Sequence, residues 1–395
     1  MKKVCWTLLF VLVGCRGTPP QRESDEIARL VDSLRPAVER ATGLSFRGAT
    51  RSALKSREEI RTYLISRLAK DFPLERAQGV AAVYRLLGLI PDTLDLKALL
   101  LDLYTEQVAG FYDPGTRTLY GVRGADPAQL RLVLAHELVH ALQHEYLPLD
   151  SIMESKGDAD RQAAAQAVFE GHATLASIRV LLPGRNLLET PEFWDTFREQ
   201  IKTQQSSMQV FARAPLALRE ELIFPYLNGA EFMRWWESVH VGQPLPTLAT
   251  LPRSTEQILH PPRYQSGDRP LAVRFADSTG DVLYEDTLGE LEIQVLATVL
   301  RGGGEVLTET PVGWGGDRFR VYRTEGGPAL VWYTRWDDAA SAARFRGGIG
   351  ARLGARGRAG YRTEAELVKP AAPSTVRVVI APTSWTRWAA LPEAN

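Results

Sequence analysis

The sequence predicts an α+β protein, with a mainly helical part that contains a small sheet and a smaller α+β region at the C-terminal end. Several long segments before residue 240 carry apolar residues at helical spacing. An Asp-Pro-Gly turn at 113–115 separates two short aromatic-bearing segments, which indicates a β-hairpin. Beyond Pro244, glycine and tryptophan become more frequent and short alternating runs indicate strands.

Composition and charge are those of a globular protein. The chain has 395 residues, 45% of them hydrophobic, with 47 basic and 47 acidic side chains and a formal net charge of zero. Because no dense Lys/Arg cluster occurs, we do not expect a nucleic-acid-binding protein. This length is enough for two or three domains of ordinary size, or one large domain.

The N-terminus predicts export and lipid attachment. A basic start is followed by a short apolar run that ends in Gly14-Cys15, which is typical of a bacterial lipoprotein signal peptide over residues 1–15. Cys15 would then carry the lipid, residues 16–23 would form a tether, and the protein would reside in the cell envelope, attached to a membrane. The alternative is an ordinary secretory signal, in which case the protein is secreted. Cys5 would leave with the signal, so we expect no disulfide.

The helical part begins with an amphipathic helix over residues 24–40. An extended stretch follows at 44–54, and then a helix for which Ser56 and Glu59 form a capping box. Further helices are predicted at 74–87 and 94–107. The helix that starts after the Asp126 cap and runs up to Pro148 is apolar nearly all round, so we expect it to be buried.

Further helices are predicted at 158–182, 192–205 and 216–237, the last interrupted at Phe224-Pro225-Tyr226. We place a soft boundary near residue 265, which gives a domain over 24–265 and a C-terminal region over 266–395. In that region we predict strands at 319–322 and 330–333, a short helix at 337–345, and a Gly/Arg-rich loop at 346–360.

The chemistry-bearing motif is His136-Glu137-Leu138-Val139-His140, an H-E-x-x-H pattern inside the predicted buried helix. Positions i and i+4 share one face of a helix, so both imidazoles can reach a single metal ion. Zinc lowers the pKa of water toward neutrality, and Glu137 stands where it can take the proton as a general base. The alternative is that both histidines are paired core residues.

A catalytic zinc ion needs a third protein ligand, for which Glu170 is the first candidate. It lies in the middle of a predicted buried helix, where a carboxylate is costly unless it is paired or bound to metal. Gly171 beside it would permit the close approach of another helix. The alternative for Glu170 is a buried carboxylate that Arg or backbone groups satisfy. The rival ligands are Asp158, Asp160, His172 and His144.

A hydrolase of this type also needs a donor for the developing oxyanion. We predict His260 for this role, with Tyr112, Tyr226 and Tyr264 as alternatives. The hairpin before the metal helix could bind an extended peptide along its edge, or it could be a core hairpin only.

Together these residues resemble a group of bacterial exported or lipid-anchored zinc metallopeptidases of the gluzincin type, which combine H-E-x-x-H with a downstream Glu. The resemblance is carried by residues 106–114, 134–143, 170–174 and 254–261, and more loosely by 314–318 and 336–337. It implies a zincin-like metallopeptidase core of helices and a small sheet, with Glu170 supplied by the second ligand-bearing helix. His144 and His172 depart from the pattern, because acidic residues are expected there.

The leading functional hypothesis is therefore a zinc-dependent peptidase of the cell envelope. It would hold one Zn²⁺ per chain on His136, His140 and Glu170, use Glu137 as the base, and act on a peptide or protein substrate. Two alternatives stay open: a non-catalytic binding or scaffold module on a peptidase fold, and a zinc amidase that acts on cell-wall material. The intact Glu137 argues against the scaffold.

Overall fold

The computed structural model describes residues 20–153, 157–183, 186–276, 280–304, 306, 312–369 and 374–390. The predicted signal peptide and Cys15 lie outside these residues. Helix α1 begins at Pro20, so the tether predicted for 16–23 ends inside a helix. Within the described part of the chain, no helix combines the length and the apolar character needed to cross a membrane.

The fold is α+β, as predicted. Its elements are α1 (Pro20–Thr42), β1 (Arg51–Lys55), α2 (Arg57–Asp71), α3 (Leu74–Leu87), α4 (Leu96–Gln107), β2 (Gly110–Asp113), β3 (Thr118–Val122), α5 (Pro127–Tyr146), α6 (Leu149–Met153), α7 (Ala159–Leu181), α8 (Pro191–Ser207), α9 (Gln209–Arg213), α10 (Leu216–Val239), α11 (Thr255–Leu259), α12 (Pro261–Gln265), β4 (Val282–Asp286), α13 (Gly289–Leu300), β5 (Trp314–Tyr322), β6 (Ala329–Trp336), α14 (Ala339–Phe345), α15 (Ala351–Arg356), β7 (Tyr361–Lys369) and β8 (Ser374–Pro382).

The first sheet has three strands in the order β1-β3-β2. Strands β2 and β3 pair antiparallel around the Asp-Pro-Gly turn, so the predicted hairpin is confirmed, and β1 adds in parallel to β3. Strand β2 lies at one edge and packs on α5 so closely that a Cβ at Gly110 would lie 2.5 Å from Cγ1 of Val133. The sheet thus lies directly against the helix that carries H-E-x-x-H.

Helices α7 and α10 pack with their backbones in contact. A Cβ on Gly171 would lie 2.1 Å from the carbonyl group of Gly229, and a Cβ on Gly229 would lie 2.1 Å from the carbonyl oxygen of Ala167. The close approach predicted for Gly171 is therefore confirmed. Helix α10 runs unbroken through Pro225, contrary to the interruption predicted there, because packing along its length outweighs the hydrogen bond that proline removes.

The C-terminal region contains an antiparallel five-stranded sheet in the order β4-β5-β6-β8-β7. The Gly/Arg-rich loop predicted for 346–360 is wrong over its first part. Residues 346–350 form a π-helical turn that leads into α15. Phe345, Ile349 and Leu353 follow one another at a spacing of four and are all buried, so burial of this apolar stripe overrides the weak helix propensity of the glycines.

The boundary near residue 265 does not separate two hydrophobic cores. One apolar cluster contains Leu87 of α3 and Leu103 of α4 together with Ile293 of α13 and Trp332 of β6. Hydrogen bonds also join the two parts, since the backbone N–H groups of Ala159 and Asp160 at the start of α7 donate to the side chains of Asp286 and Thr287. The start of the helix that carries Glu170 is thereby fixed to the C-terminal region.

Candidate metal centre

The two motif histidines lie on the buried face of α5. The helix starts at Pro127 after Asp126, whose carboxylate accepts hydrogen bonds from the N–H groups of Ala128 and Gln129. One turn apart, the rings of His136 and His140 have centroids 4.8 Å apart, and each residue is 1% exposed. With Glu137 they form a buried group that could hold a metal ion.

Helix α7 brings Glu170 to both imidazoles. Its Oε2 lies 3.1 Å from Nε2 of His136 and 3.4 Å from Nε2 of His140, and the residue is fully buried. The two histidines are therefore direct neighbours of this carboxylate. The structure thus assembles the three predicted ligand side chains, although their role toward a metal stays a prediction.

Gln143, for which the sequence predicts no role, orients His140. Its Nε2 donates to the carbonyl oxygen of Phe169 at 2.9 Å, which leaves Oε1 to accept from Nδ1 of His140 at 2.9 Å. The proton of the neutral His140 ring is therefore on Nδ1, and the lone pair of Nε2 faces Glu170. The position of Gln143, three residues after His140 on the same face of the helix, is the feature of the sequence that indicates this role.

These donor atoms fit a zinc ion. A carboxylate oxygen and the imidazole lone pair of His140 face each other inside the protein and repel unless a proton or a metal ion lies between them. Nε2 of His140 and Oε1 of Glu137 are both buried without a hydrogen-bond partner in the described structure. In a tetrahedral site with zinc–ligand distances of about 2.0–2.1 Å, neighbouring ligand atoms lie about 3.3 Å apart. The separations of 3.1 and 3.4 Å agree with that value.

The electrostatics favour a cation at this position. Burial opposes ionisation of Glu170, but His140 and His136 outweigh it and lower the pKa of this carboxyl to about 2. Burial likewise opposes a charged His140, while the Glu170 carboxylate prevails and raises the pKa of His140 to about 9. Burial lowers the pKa of His136. Glu170 is therefore ionised and attracts positive charge, which a metal ion can supply.

Glu137 is held beside the predicted ligands by the sheet. Its Oε2 accepts a hydrogen bond from the backbone N–H of Tyr112 in β2 at 2.7 Å. Burial raises the pKa of Glu137 to about 8. With one oxygen anchored and Oε1 without a partner, the carboxyl group is placed to exchange a proton with a molecule next to the ligands.

The four rival ligands lie in other interactions. Burial lowers the pKa of His172 to about 3, and its Nδ1 accepts from Gln143 at 3.1 Å, so it is a neutral neighbour of the ligand set. Nδ1 of His144 lies 3.0 Å from the hydroxyl of Tyr112. Asp158 caps α7 through the N–H of Arg161, and Asp160 accepts from Thr255.

The structure does not pair His260 with the motif histidines. Its Nε2 lies 2.9 Å from Oε1 of Glu290, a buried residue of α13, and the described contacts of His260 do not include the four residues of the centre. The ring of Tyr226 lies next to the centre, with its centroid 6.1 Å from that of His136. Tyr264 donates instead to the carbonyl oxygen of Thr250.

Comparison with known proteins gives a partial family match and a distant structural similarity. A family model described as a domain of unknown function, DUF8575, matches residues 278–388, which follow the metal centre in the chain. The search of curated proteins gives no match. Among solved structures, the chain is similar to a protein from Chloroflexus aurantiacus described as a "putative hydrolase with a novel fold". The sequence identity is 18% and the TM-score 0.41, over 64% of this chain and 92% of that one.

Proposed function

We propose that the protein is a zinc-dependent peptidase. One observation carries the proposal: Nε2 of His136 and Nε2 of His140 converge on a single oxygen of Glu170, with Glu137 beside them. Two imidazoles and a carboxylate are a ligand set of catalytic zinc, which leaves a fourth position open for the reaction. In this proposal His136, His140 and Glu170 hold one Zn²⁺ per chain.

Glu137 performs the proton transfers of this reaction. When bound, zinc supplies Lewis acidity, which lowers the pKa of water and polarises the scissile carbonyl group. Glu137 accepts a proton from the attacking water at Oε1, the oxygen that has no other partner. It returns that proton to the amide nitrogen as the C–N bond breaks. The hydrogen bond from Tyr112 keeps the carboxyl group in place throughout.

Tyr226 is the better-placed donor for the developing oxyanion, since its ring lies beside that of His136. For His260 to take this role, its hydrogen bond to Glu290 would have to break so that Nε2 could donate to the substrate oxygen instead. Peptide binding along the edge of β2 would have to use groups other than the N–H of Tyr112, which Glu137 already engages.

The cellular setting of the proposal rests on the sequence. The gluzincin resemblance and the lipoprotein-type start support the proposal that the enzyme resides in the bacterial cell envelope, attached to a membrane through a lipid on Cys15. Its substrate would be a peptide or protein on the outer side of the inner membrane or at the outer membrane.

Metal analysis combined with hydrolysis tests the proposal. We expect about one equivalent of zinc in the parent protein and in Glu137→Gln, with cleavage of a denatured protein by the parent only. His136→Gln should lose zinc. His240→Gln is the matched control, because His240 stacks on Trp236 and takes no part in the centre, so it should keep both zinc and activity.

Two outcomes would favour the alternatives. Stoichiometric zinc without cleavage of any peptide pool would indicate a binding or scaffold module. Cleavage of isolated cell-wall muropeptides without cleavage of linear peptides would indicate an amidase. Absence of zinc from the parent protein would remove the basis of the proposal.

A further inference from the structure

A cavity of about 260 Å³ lies where the helical part meets the C-terminal region. Its walls are contributed by α2, α3, α4, α7 and α10 on one side and by β4 and α13 on the other. Tyr226 lines it, and the ring of the same tyrosine lies 6.1 Å from that of His136. Gln166, one turn before Glu170 on α7, lines it as well. The cavity and the metal centre are therefore neighbours.

Most of the cavity wall is apolar, formed by side chains such as Leu100 and Leu222, but two glutamates also face it. Glu221 of α10 accepts a hydrogen bond from the hydroxyl of Tyr84. Glu292 of α13 lies beside this pair, is only 7% exposed, and interacts most strongly with Glu221 and Tyr84. A buried acidic side chain without a positively charged group among these partners thus lines an apolar cavity.

The protein supplies little positive charge to Glu292. The groups that act on it most strongly are Glu221, Tyr84 and Glu220, none of which is a cation. Burial, followed by the charge of Glu221, raises the pKa of Glu292. Two arginines also line the cavity, but Arg67 pairs with Asp71 at 3.1 Å and Arg76 interacts with Tyr284.

The other acidic groups of the wall already have donors. Asp286 accepts from the N–H of Ala159, and Asp160 accepts from Thr255. Glu221 and Glu292 therefore form the part of the wall that can take up a further positive charge. A carboxylate buried in apolar surroundings is stabilised most by a hydrogen-bonded cation.

We propose that this cavity binds a lysine or arginine side chain of the peptide substrate, with Glu221 and Glu292 as its counter-charges. The inference rests on the proposed peptidase function and adds a substrate class to it. Basic side chains combine an apolar stem with a charged tip, which matches apolar walls that carry two carboxylates. The C-terminal region then has a role in the reaction, since it supplies Glu292.

The competing occupant is a neutral apolar side chain, which would fill the cavity and leave both glutamates without a positively charged partner. Pairs of peptides with a charged or a neutral central side chain distinguish the basic occupant from the neutral one. We suggest quenched alanine-rich hexapeptides with one central arginine or citrulline, and a second pair with lysine or norleucine, with the cleaved bond identified by mass spectrometry. For the parent enzyme we expect kcat/KM to be about tenfold to a hundredfold higher for the charged member of each pair.

Glutamine variants of the two glutamates test whether they cause the preference for a basic side chain. In Glu292→Gln and Glu221→Gln the ratio within each pair should fall toward one, while cleavage of the norleucine peptide persists. Glu366→Gln is the control, since Glu366 pairs with Arg377 on the C-terminal sheet and does not line the cavity. Equal cleavage of charged and neutral peptides by the parent, or a preference unchanged in both glutamine variants, would overturn the proposal.

A binding measurement separates failure of this inference from failure of the proposed function. Calorimetry with the zinc-loaded Glu137→Gln protein should show tighter binding of the arginine peptide than of the citrulline peptide, even where no hydrolysis occurs. Equal affinities, in a protein whose melting temperature matches that of the parent, would reject the basic pocket and leave the peptidase proposal standing. Preferential binding without any hydrolysis by the parent would instead reject the peptidase.

Discussion

Gly171 and Gly229 lie back to back, and a methyl group on Gly171 would come within 2.1 Å of the backbone of Gly229. Gly171 directly follows Glu170, so the separation of α7 and α10 sets the position of the proposed third ligand. At this contact the backbones of the two helices touch directly, so no side chain can move aside. Any added atom must therefore push the helices apart.

Substitution of Gly171 by alanine should therefore weaken metal binding as well as stability. We expect a loss of roughly 1–3 kcal/mol in the free energy of unfolding, because the added methyl group overpacks the contact. A chelator competition should show weaker zinc binding. Gly354→Ala in α15 is the control, since a Cβ there meets nothing within 4 Å and zinc affinity should stay unchanged.

Gln143→Leu tests the orientation of His140. Leucine keeps approximately the volume but can neither accept from Nδ1 of His140 nor donate to Phe169 and His172. Loss of such an outer partner of a histidine ligand typically costs about 10–100-fold in metal affinity. Gln200→Leu on the exposed side of α8 should have no such effect. Unchanged zinc affinity in Gln143→Leu would contradict the orienting role.

The raised pKa of Glu137 predicts a pH-dependent stability of the metal-free protein. Between about pH 4.5 and 8 the folded state keeps a proton that the unfolded state has released, so this group's contribution to stability falls as pH rises. The glutamine in Glu137→Gln does not ionise, so this variant does not lose stability in this way as pH rises. Its advantage over the parent in urea unfolding with EDTA should grow with pH across that window, by at most about 1.4 kcal/mol per pH unit.

The same measurement on Glu366→Gln, whose carboxylate is an exposed partner of Arg377, provides the comparison. From pH 5 to 8, the difference between Glu137→Gln and the parent should vary more with pH than the difference between Glu366→Gln and the parent. A difference between Glu137→Gln and the parent that does not vary with pH would show that the Glu137 carboxyl group is not buried in the metal-free protein.

Leu353→Ala tests the unexpected helix α15. Because Leu353 is 3% exposed within the largest hydrophobic cluster, we expect a loss of roughly 2–5 kcal/mol in the free energy of unfolding. The neighbouring Arg352 is exposed, so Arg352→Ala should change this free energy by less than about 0.5 kcal/mol. If residues 346–360 were a loop, the two variants would behave alike.

Much of the centre could be predicted from the sequence, because local rules fix it. Helical spacing places His136 and His140 on one face, and the cost of burying a carboxylate identifies Glu170. The pairing of His260 with Glu290 depends on how α11 meets α13, and local patterns contain no information about that contact. The helix after Phe345 is harder to predict, because its glycines and arginines indicate a loop while the four-residue spacing of Phe345, Ile349 and Leu353 gains its weight only from their burial in the core.

The hydrophobic cluster that joins Leu103 to Ile293 and Trp332 has a thermodynamic consequence. Segments on both sides of residue 265 contribute to one core, so heating should melt the chain in a single cooperative transition. A cation bound between α5 and α7 would then protect the distant strands β5 and β6 from unfolding by the same free energy as it protects its own ligands. Amide hydrogen exchange in the five-stranded sheet should slow on addition of zinc, although no strand of that sheet contributes a ligand.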